Sequence, residues 1–114
     1  MTAGVEADVP LQLGVEQLDS MRKHGQEIGI LDVREPWEVA ICVIGGSVNV
    51  PLSTLPQNLN RLPKGQPLVV LCHHGMRSLQ AVRWLRQNGF NHATNLQGGI
   101  DAWARQVDQS MATY

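Results

Sequence analysis

The sequence of 114 residues lacks several features that would each indicate a particular class of protein. It has two cysteines, too few for the disulfide framework of a small secreted domain. Nine basic and ten acidic side chains leave a formal net charge of −1, so no overall positive field favours nucleic acid or an anionic membrane. No apolar run approaches the roughly 20 residues that a membrane-spanning helix needs. We therefore expect no nucleic-acid partner and no membrane partner, and any anion must be recognised locally.

The first residues also lack the basic start and apolar core of a secretory signal. Together with the low cysteine count, this predicts a reducing, cytoplasmic setting. A hydrophobic content of 43% supports one folded core rather than disorder. We expect a single domain over residues 9–107, with flexible ends at residues 1–8 and 108–114.

Strand-like and helix-like segments alternate along the whole chain, which predicts an α/β fold with a mostly parallel sheet and helices on both faces. The strand candidates are residues 11–13, 28–33, 47–52, 67–72 and 93–96. The helix candidates are residues 15–24, a short one from Pro36, residues 53–62, 78–88 and a last one from Ile100.

The segment 67–78 carries the strongest functional pattern. An apolar run of strand length ends at Cys72, and a short loop with Gly75 follows. Arg77 and Ser78 then open a helical pattern, whose first N–H groups lack partners within the helix and converge on its mouth. A helix N-terminus and a nearby arginine favour the thiolate form of a cysteine. The segment therefore predicts a nucleophilic thiolate at Cys72.

The rest of the loop completes a candidate anion-binding site, formed by His73, His74, Gly75, Met76, Arg77 and Ser78. A protonated histidine at its mouth would favour an anionic donor. A cation in the first turn opposes the helix dipole unless an anion compensates it, which favours a functional role for Arg77.

A second polar cluster follows the strand candidate 28–33, where Asp32 and Arg34 lie at its C-terminal end. In open parallel sheets ligands bind outside the carboxyl ends of the strands, which is also where we place Cys72. Asp32 is interpreted as a strand-end cap or as the partner of Arg34, in support of the site.

Three motifs occur in order along the chain: Asp32-Val33-Arg34-Glu35, Cys72-x-x-Gly75-x-Arg77-Ser78 and Gly98-Gly99-Ile100-x-x-Trp103. Together they resemble single-domain rhodaneses, the thiosulfate-type sulfurtransferases, over residues 9–107. The resemblance implies a rhodanese-like, five-stranded parallel sheet and a persulfide carried by Cys72. It also implies that Asp32 and Arg34 hold the neighbouring loop, and that Gly98, Gly99 and Trp103 are structural.

One segment departs from this pattern. Where the family has Gly-His-Ile-x-Gly-Ala, the chain has Cys42-Val43-Ile44-Gly45-Gly46-Ser47, without the leading glycine and the histidine. A histidine therefore does not anchor this turn here, and the chemistry implied for Cys72 does not depend on it.

The implied chemistry is sulfur transfer in two displacements. The Cys72 thiolate attacks the outer sulfur of thiosulfate or another sulfane donor, sulfite or a thiol leaves, and a protein or thiol acceptor then takes the sulfur. Amide hydrogens and Arg77 can stabilise the charges, so we expect no metal and no other cofactor. The run Cys72-His73-His74 does not change this, because consecutive loop residues seldom converge on one ion.

Two alternatives stay open. A cysteine phosphatase or arsenate reductase also combines cysteine, amides and arginine, but its loop resembles Cys-x5-Arg, longer by one residue or up to ~3.5 Å of backbone. A non-enzymatic persulfide carrier that receives sulfur from a partner is the other. Cys42 and the three tryptophans, Trp37, Trp84 and Trp103, are assigned to packing.

Overall fold

A five-stranded sheet forms the centre of the computed structural model, which describes residues 9–114. The strands are β1 (Gln12–Leu13), β2 (Gly29–Asp32), β3 (Val48–Asn49), β4 (Leu68–Leu71) and β5 (Ala93–Leu96). Their order across the sheet is β1-β5-β4-β2-β3, and every neighbouring pair is parallel. The α/β fold with a parallel sheet is confirmed. The expected loose end at residues 1–8 lies outside the described residues.

Helices cover both faces of the sheet. They are α1 (Val15–Lys23), α2 (Pro36–Val39), α3 (Met76–Gln87) and α4 (Gly99–Gln106). Because successive side chains of a strand point to opposite faces, the apolar run of β4 serves two cores. Leu68 and Val70 pack with α3, whereas Val69 and Leu71 pack with α1 and α4. No helix of residues 9–114 is long and apolar enough to cross a membrane.

The central strands bring the two predicted polar clusters to one edge. β2 and β4 pair in register from Gly29 with Leu68 to Asp32 with Leu71. The Val33 N–H then donates to the Leu71 carbonyl at 3.0 Å. The residues after β2 and after β4 therefore leave the sheet side by side, at its carboxyl edge.

The segment 53–62 differs from the expected helix. It forms two 3₁₀ helices, Leu52–Gln57 and Leu59–Arg61. Pro56 lies inside the first, and a proline has no N–H to donate within an α-helix. Tight three-residue turns replace the longer helical pattern here.

The assignment of all three tryptophans to packing is wrong for Trp37, which is largely exposed. Trp103 is buried, and Trp84 of α3 packs against the core, but Trp37 is 63% exposed. α2 is a single turn, and the side chain that it buries is Glu38. A one-turn helix has no apolar stripe to reveal which residue faces inwards.

The last residues also differ from the expected free end. Residues 108–114 have no helix or strand, but Met111 and Tyr114 pack against the core between α1 and α4. This return of the chain brings Tyr114 to the carboxyl edge of the sheet, beside the residues after β2.

Candidate active site

The loop after β4 folds sharply to begin α3. Gly75 precedes the helix with φ of +105°, a left-handed conformation that residues with a Cβ rarely adopt. Its carbonyl accepts the Leu79 N–H at 3.1 Å, which is the first hydrogen bond of the helix. The sequence places a glycine where the turn needs one, so the N–H groups of the first turn face back towards Cys72.

The Cys72 sulfur lies beneath this turn. Its Sγ accepts hydrogen bonds from the N–H groups of Gly75 at 3.1 Å and of Ser78 at 3.4 Å. Two backbone N–H groups of the turn therefore converge on this sulfur. Cys72 is only 1% exposed, however, and belongs to the buried cluster on the α3 side of the sheet.

Ser78 connects the sulfur to β5. Its hydroxyl lies 3.3 Å from Cys72 Sγ and 2.5 Å from Asn95 Oδ1. With one proton, it can donate to only one of them at a time. The Asn95 amide in turn donates to the Gly75 carbonyl at 3.1 Å. Sequence analysis missed Asn95, whose only signal was a polar side chain in a short, buried strand.

The back of the loop is held by the start of α4. The N–H groups of Ile100 and Asp101 donate to the carbonyls of Cys72 and His73, at 2.9 and 3.0 Å. A Cβ on Gly99 would collide with these same two carbonyl oxygens, and its φ is +62°. Gly99 therefore lets α4 approach the loop closely, which agrees with the structural role implied for it.

Arg77 is paired with Glu38 of α2, a residue that sequence analysis did not single out. Its two terminal nitrogens donate to the two carboxylate oxygens at 2.7 and 2.8 Å. The Glu38 side chain is 4% exposed, and the hydrogen bonds from Arg77 outweigh burial and lower its pKa to about 2. The anion that compensates a cation at this helix start is therefore a carboxylate of the protein itself.

Asp32 and Arg34 form a second pair, fully buried, with Arg34 Nη2 2.7 Å from Asp32 Oδ2. Burial alone would lower the pKa of Arg34, but hydrogen bonds to Asp32 and Tyr114 raise it overall. Arg34 also donates to the carbonyls of Cys42 at 2.7 Å and Glu38 at 3.3 Å. The pair therefore holds α2 and the turn after it, which carries Glu38 to Arg77.

Tyr114 joins the two ion pairs. Its hydroxyl accepts from Arg34 Nη1 at 3.1 Å and donates to Glu38 Oε2 at 2.7 Å. Burial is the main cause that raises the pKa of Tyr114 to about 12, so the Tyr114 hydroxyl keeps its proton at neutral pH. Its ring stacks on His73, with centroids 3.9 Å apart and planes 10° apart.

The histidines lie over the loop. The rings of His73 and His74 stack 4.0 Å apart, and burial, followed by the charge of His74, lowers the pKa of His73. His74 Nε2 is 3.8 Å from Asp101 Oδ2. His73, His74 and Asp101 each offer one atom that could bind a metal ion, and these atoms lie within 4.8 Å of one another. The Asp101 carboxylate is already bound by Arg105 at 2.9 Å. A neutral His73 adds no positive charge at the mouth.

The family of the chain follows from comparison with known proteins. A family model described as a rhodanese-like domain matches residues 14–106. The chain belongs to the rhodanese-like family.

Its relatives in that family include named sulfurtransferases. A sulfurtransferase of Allochromatium vinosum is 33% identical over 94 residues, which cover 82% of this chain and 88% of that protein. A probable adenylyltransferase/sulfurtransferase, MoeZ of Mycobacterium tuberculosis, is 37% identical over 92 residues, 79% of this chain but 24% of MoeZ. These relatives support a rhodanese-type sulfurtransferase, either as a whole small protein or as part of a longer one.

Solved rhodanese structures have the same fold. A rhodanese-like domain protein from Staphylococcus aureus has a TM-score of 0.78 with 28% identity, over 92% of this chain and 99% of that chain. The human single-domain sulfurtransferase TSTD1 has a TM-score of 0.72 with 28% identity, over 85% of this chain and 97% of its own. Both the resemblance and the fold class drawn from the sequence are confirmed.

The segment in which this rhodanese departs from the family pattern is held by other contacts. Arg34 binds the Cys42 carbonyl, and its Nη1 lies 3.9 Å from the Cys42 sulfur. Ile44 is 1% exposed, and its carbonyl accepts the Ser47 hydroxyl at 2.8 Å. Val43, in the position of the family histidine, is 46% exposed. Arg34 and Ile44 thus anchor the turn without a histidine.

Proposed function

We propose that this rhodanese domain transfers a sulfane sulfur from thiosulfate or a persulfide donor to a nucleophilic acceptor through a persulfide on Cys72. The observation that carries the proposal is the convergence of the Gly75 and Ser78 amides on Cys72 Sγ. Two N–H donors stabilise the thiolate that attacks, and they remain in place when the sulfur becomes a leaving group. The sulfurtransferase relatives support the same reaction class.

The reaction balances in two steps. Cys72 Sγ forms a bond to the outer sulfur of the donor, and the old bond to that sulfur breaks with its electron pair leaving on sulfite or on a thiolate. The acceptor, a thiol, a protein thiol or cyanide, then bonds to the outer sulfur, and the pair returns to Cys72 Sγ. The role of the loop His73–Ser78 in binding the donor remains part of this proposal, as does the supporting role of Asp32 and Arg34.

The persulfide carrier is a second candidate, favoured by the relatives in which the matched region is 20–24% of a longer protein. The phosphatase alternative is weakened by the pairing of Arg77, since the Glu38 carboxylate neutralises its charge and occupies its terminal forked edge. Cys72 is a free thiol, as the proposed persulfide chemistry requires. A cytoplasmic location stays a prediction.

The test is intact-mass analysis after incubation of the purified protein with thiosulfate or glutathione persulfide. We expect the wild type and a Cys42→Ser control to gain the mass of one sulfur, and Cys72→Ser to gain none. Thiocyanate production from added cyanide then distinguishes an enzyme from a carrier that needs a partner. Sulfur gained by Cys72→Ser, or hydrolysis of an aryl phosphate without sulfur transfer, would contradict the proposal.

A further inference from the structure

Charges around the Cys72 loop are balanced pair by pair. Three arginines near the loop each have a carboxylate partner: Arg77 with Glu38, Arg34 with Asp32 and Arg105 with Asp101, at 2.7, 2.7 and 2.9 Å. These six groups add up to no formal charge. A donor that approaches the loop therefore meets no net positive field from its arginines.

Arg77 is the cation that matters most for the donor, since it lies in the first turn of α3 and interacts electrostatically with Cys72. Its two terminal nitrogens each donate a hydrogen bond to Glu38, so this carboxylate neutralises the charge of Arg77 and occupies its terminal forked edge. If Arg77 turned to a dianion, it would leave behind a carboxylate that is 4% exposed. A buried charge that loses its partner is strongly destabilising, which opposes this exchange.

Glu38 does not release Arg77 by taking up a proton near neutral pH. Its pKa is about 2, chiefly because of Arg77 itself. The Tyr114 hydroxyl donates a further hydrogen bond to Glu38 Oε2 at 2.7 Å, which holds the carboxylate in place. The pair is therefore the resting state of the site at neutral pH.

The remaining loop side chains do not replace the missing charge. Burial lowers the pKa of His73, which is neutral at pH 7. His74 faces Asp101, and Met76, 77% exposed at the front of α3, is apolar. The mouth of the loop is thus suited to donors of low charge.

We propose that this site selects sulfane donors with at most one negative charge on their sulfur group, such as persulfides, over the dianion thiosulfate. The inference rests on the proposed function and names its substrate class. With a persulfide RSSH, Cys72 Sγ bonds to the outer sulfur, which keeps its proton. The S–S bond breaks, and the electron pair leaves on the thiolate RS⁻.

The test compares thiosulfate with methanethiosulfonate, which has a methyl group in place of one charged oxygen and carries a single negative charge. Persulfide formation on Cys72 is measured as a second-order rate constant for the wild type and for Glu38→Gln. Because Glu38→Gln frees Arg77, we expect the ratio of the two rate constants to shift about tenfold or more towards thiosulfate. The comparison of this ratio between the two proteins cancels the different intrinsic reactivity of the two donors. In the wild type, we also expect glutathione persulfide to react about tenfold faster than thiosulfate.

Glu35→Gln is the matched control, since it removes the same charge from an exposed side chain three positions earlier and should leave the ratio unchanged. Met76→Lys is the second variant, needed if Glu38→Gln does not fold. It adds a cation at an exposed loop position without breaking the pair, and should shift the ratio in the same direction.

An unchanged ratio in the folded variants, or a wild type that reacts faster with thiosulfate than with glutathione persulfide, would overturn the inference. Failure of the proposed function has a different signature. In that case Cys72 gains no sulfur from any of the three donors.

Discussion

Replacing Glu38 by glutamine should destabilise the fold by about 3 kcal/mol at neutral pH. The pKa of Glu38 is about 2 in the folded protein, compared with a reference value of 4.5. At about 1.4 kcal/mol for each pKa unit, this difference corresponds to about 3 kcal/mol of stabilisation of the ionised form. Arg77 is 38% exposed, so it can turn to water when its partner is lost. The measured loss should therefore lie at or somewhat below that figure.

The stabilisation depends on pH with a definite sign. Because the pKa of Glu38 is lower in the folded than in the unfolded chain, its contribution is fully present above about pH 4.5 and is lost as the pH falls through about 2. Urea denaturation of the wild type and Glu38→Gln at a series of pH values measures this directly. The gap in unfolding free energy should be widest at pH 7 and should narrow steadily below about pH 4.5.

A constant gap at every pH would refute the reasoning, because it would assign the loss to the altered shape or packing of glutamine rather than to the charge of the carboxylate. Glu35→Gln provides the comparison. Its side chain is exposed, so its unfolding free energy should stay within about 0.5 kcal/mol of the wild type throughout.

Two further substitutions test how the loop is held. Gly99→Ala should destabilise the protein by roughly 3 kcal/mol or more and slow persulfide formation, because its Cβ collides with the carbonyls of Cys72 and His73. Gly89→Ala is the control, since Gly89 also has a positive φ, +95°, but nothing lies within 4 Å of its added Cβ. It should lower the free energy of unfolding by about 1 kcal/mol. Equal losses of stability for Gly99→Ala and Gly89→Ala would contradict this account. Ser78→Ala leaves Asn95 Oδ1 without its buried donor, so urea denaturation should show a loss of about 1–3 kcal/mol. Ser78→Thr keeps the hydroxyl, and a loss as large as that of Ser78→Ala would point to packing instead.

The parts of the site that are local in sequence were predictable. The apolar run of β4 predicts a buried strand, and Gly75 followed by helical periodicity predicts a turn whose amides face Cys72. The pairing of Asp32 with Arg34 joins residues two positions apart. In each case the chemistry depends on neighbours along the chain, and sequence patterns report such neighbours directly.

The parts that depend on distant contacts were not predictable. Glu38 lies 39 residues before Arg77 and 76 residues before Tyr114. It belongs to a one-turn helix beside Trp37, where general hydrophobicity predicts that the tryptophan is buried and the carboxylate exposed. The structure reverses both, because a carboxylate can be buried when an arginine and a hydroxyl compensate its charge.

This reversal changes what the loop motif means. A cysteine, a glycine and an arginine at the spacing of Cys72, Gly75 and Arg77 indicate a positively charged anion site only if the charge of the arginine is not already compensated. Here Glu38 neutralises it, and Tyr114 ties Glu38 to Arg34, so the charge at the mouth is set by residues outside the motif. The same loop on a chain without the carboxylate would present an unpaired cation to its donor. The donor class of such a domain is therefore decided by the partner of the arginine, and the motif alone does not report it.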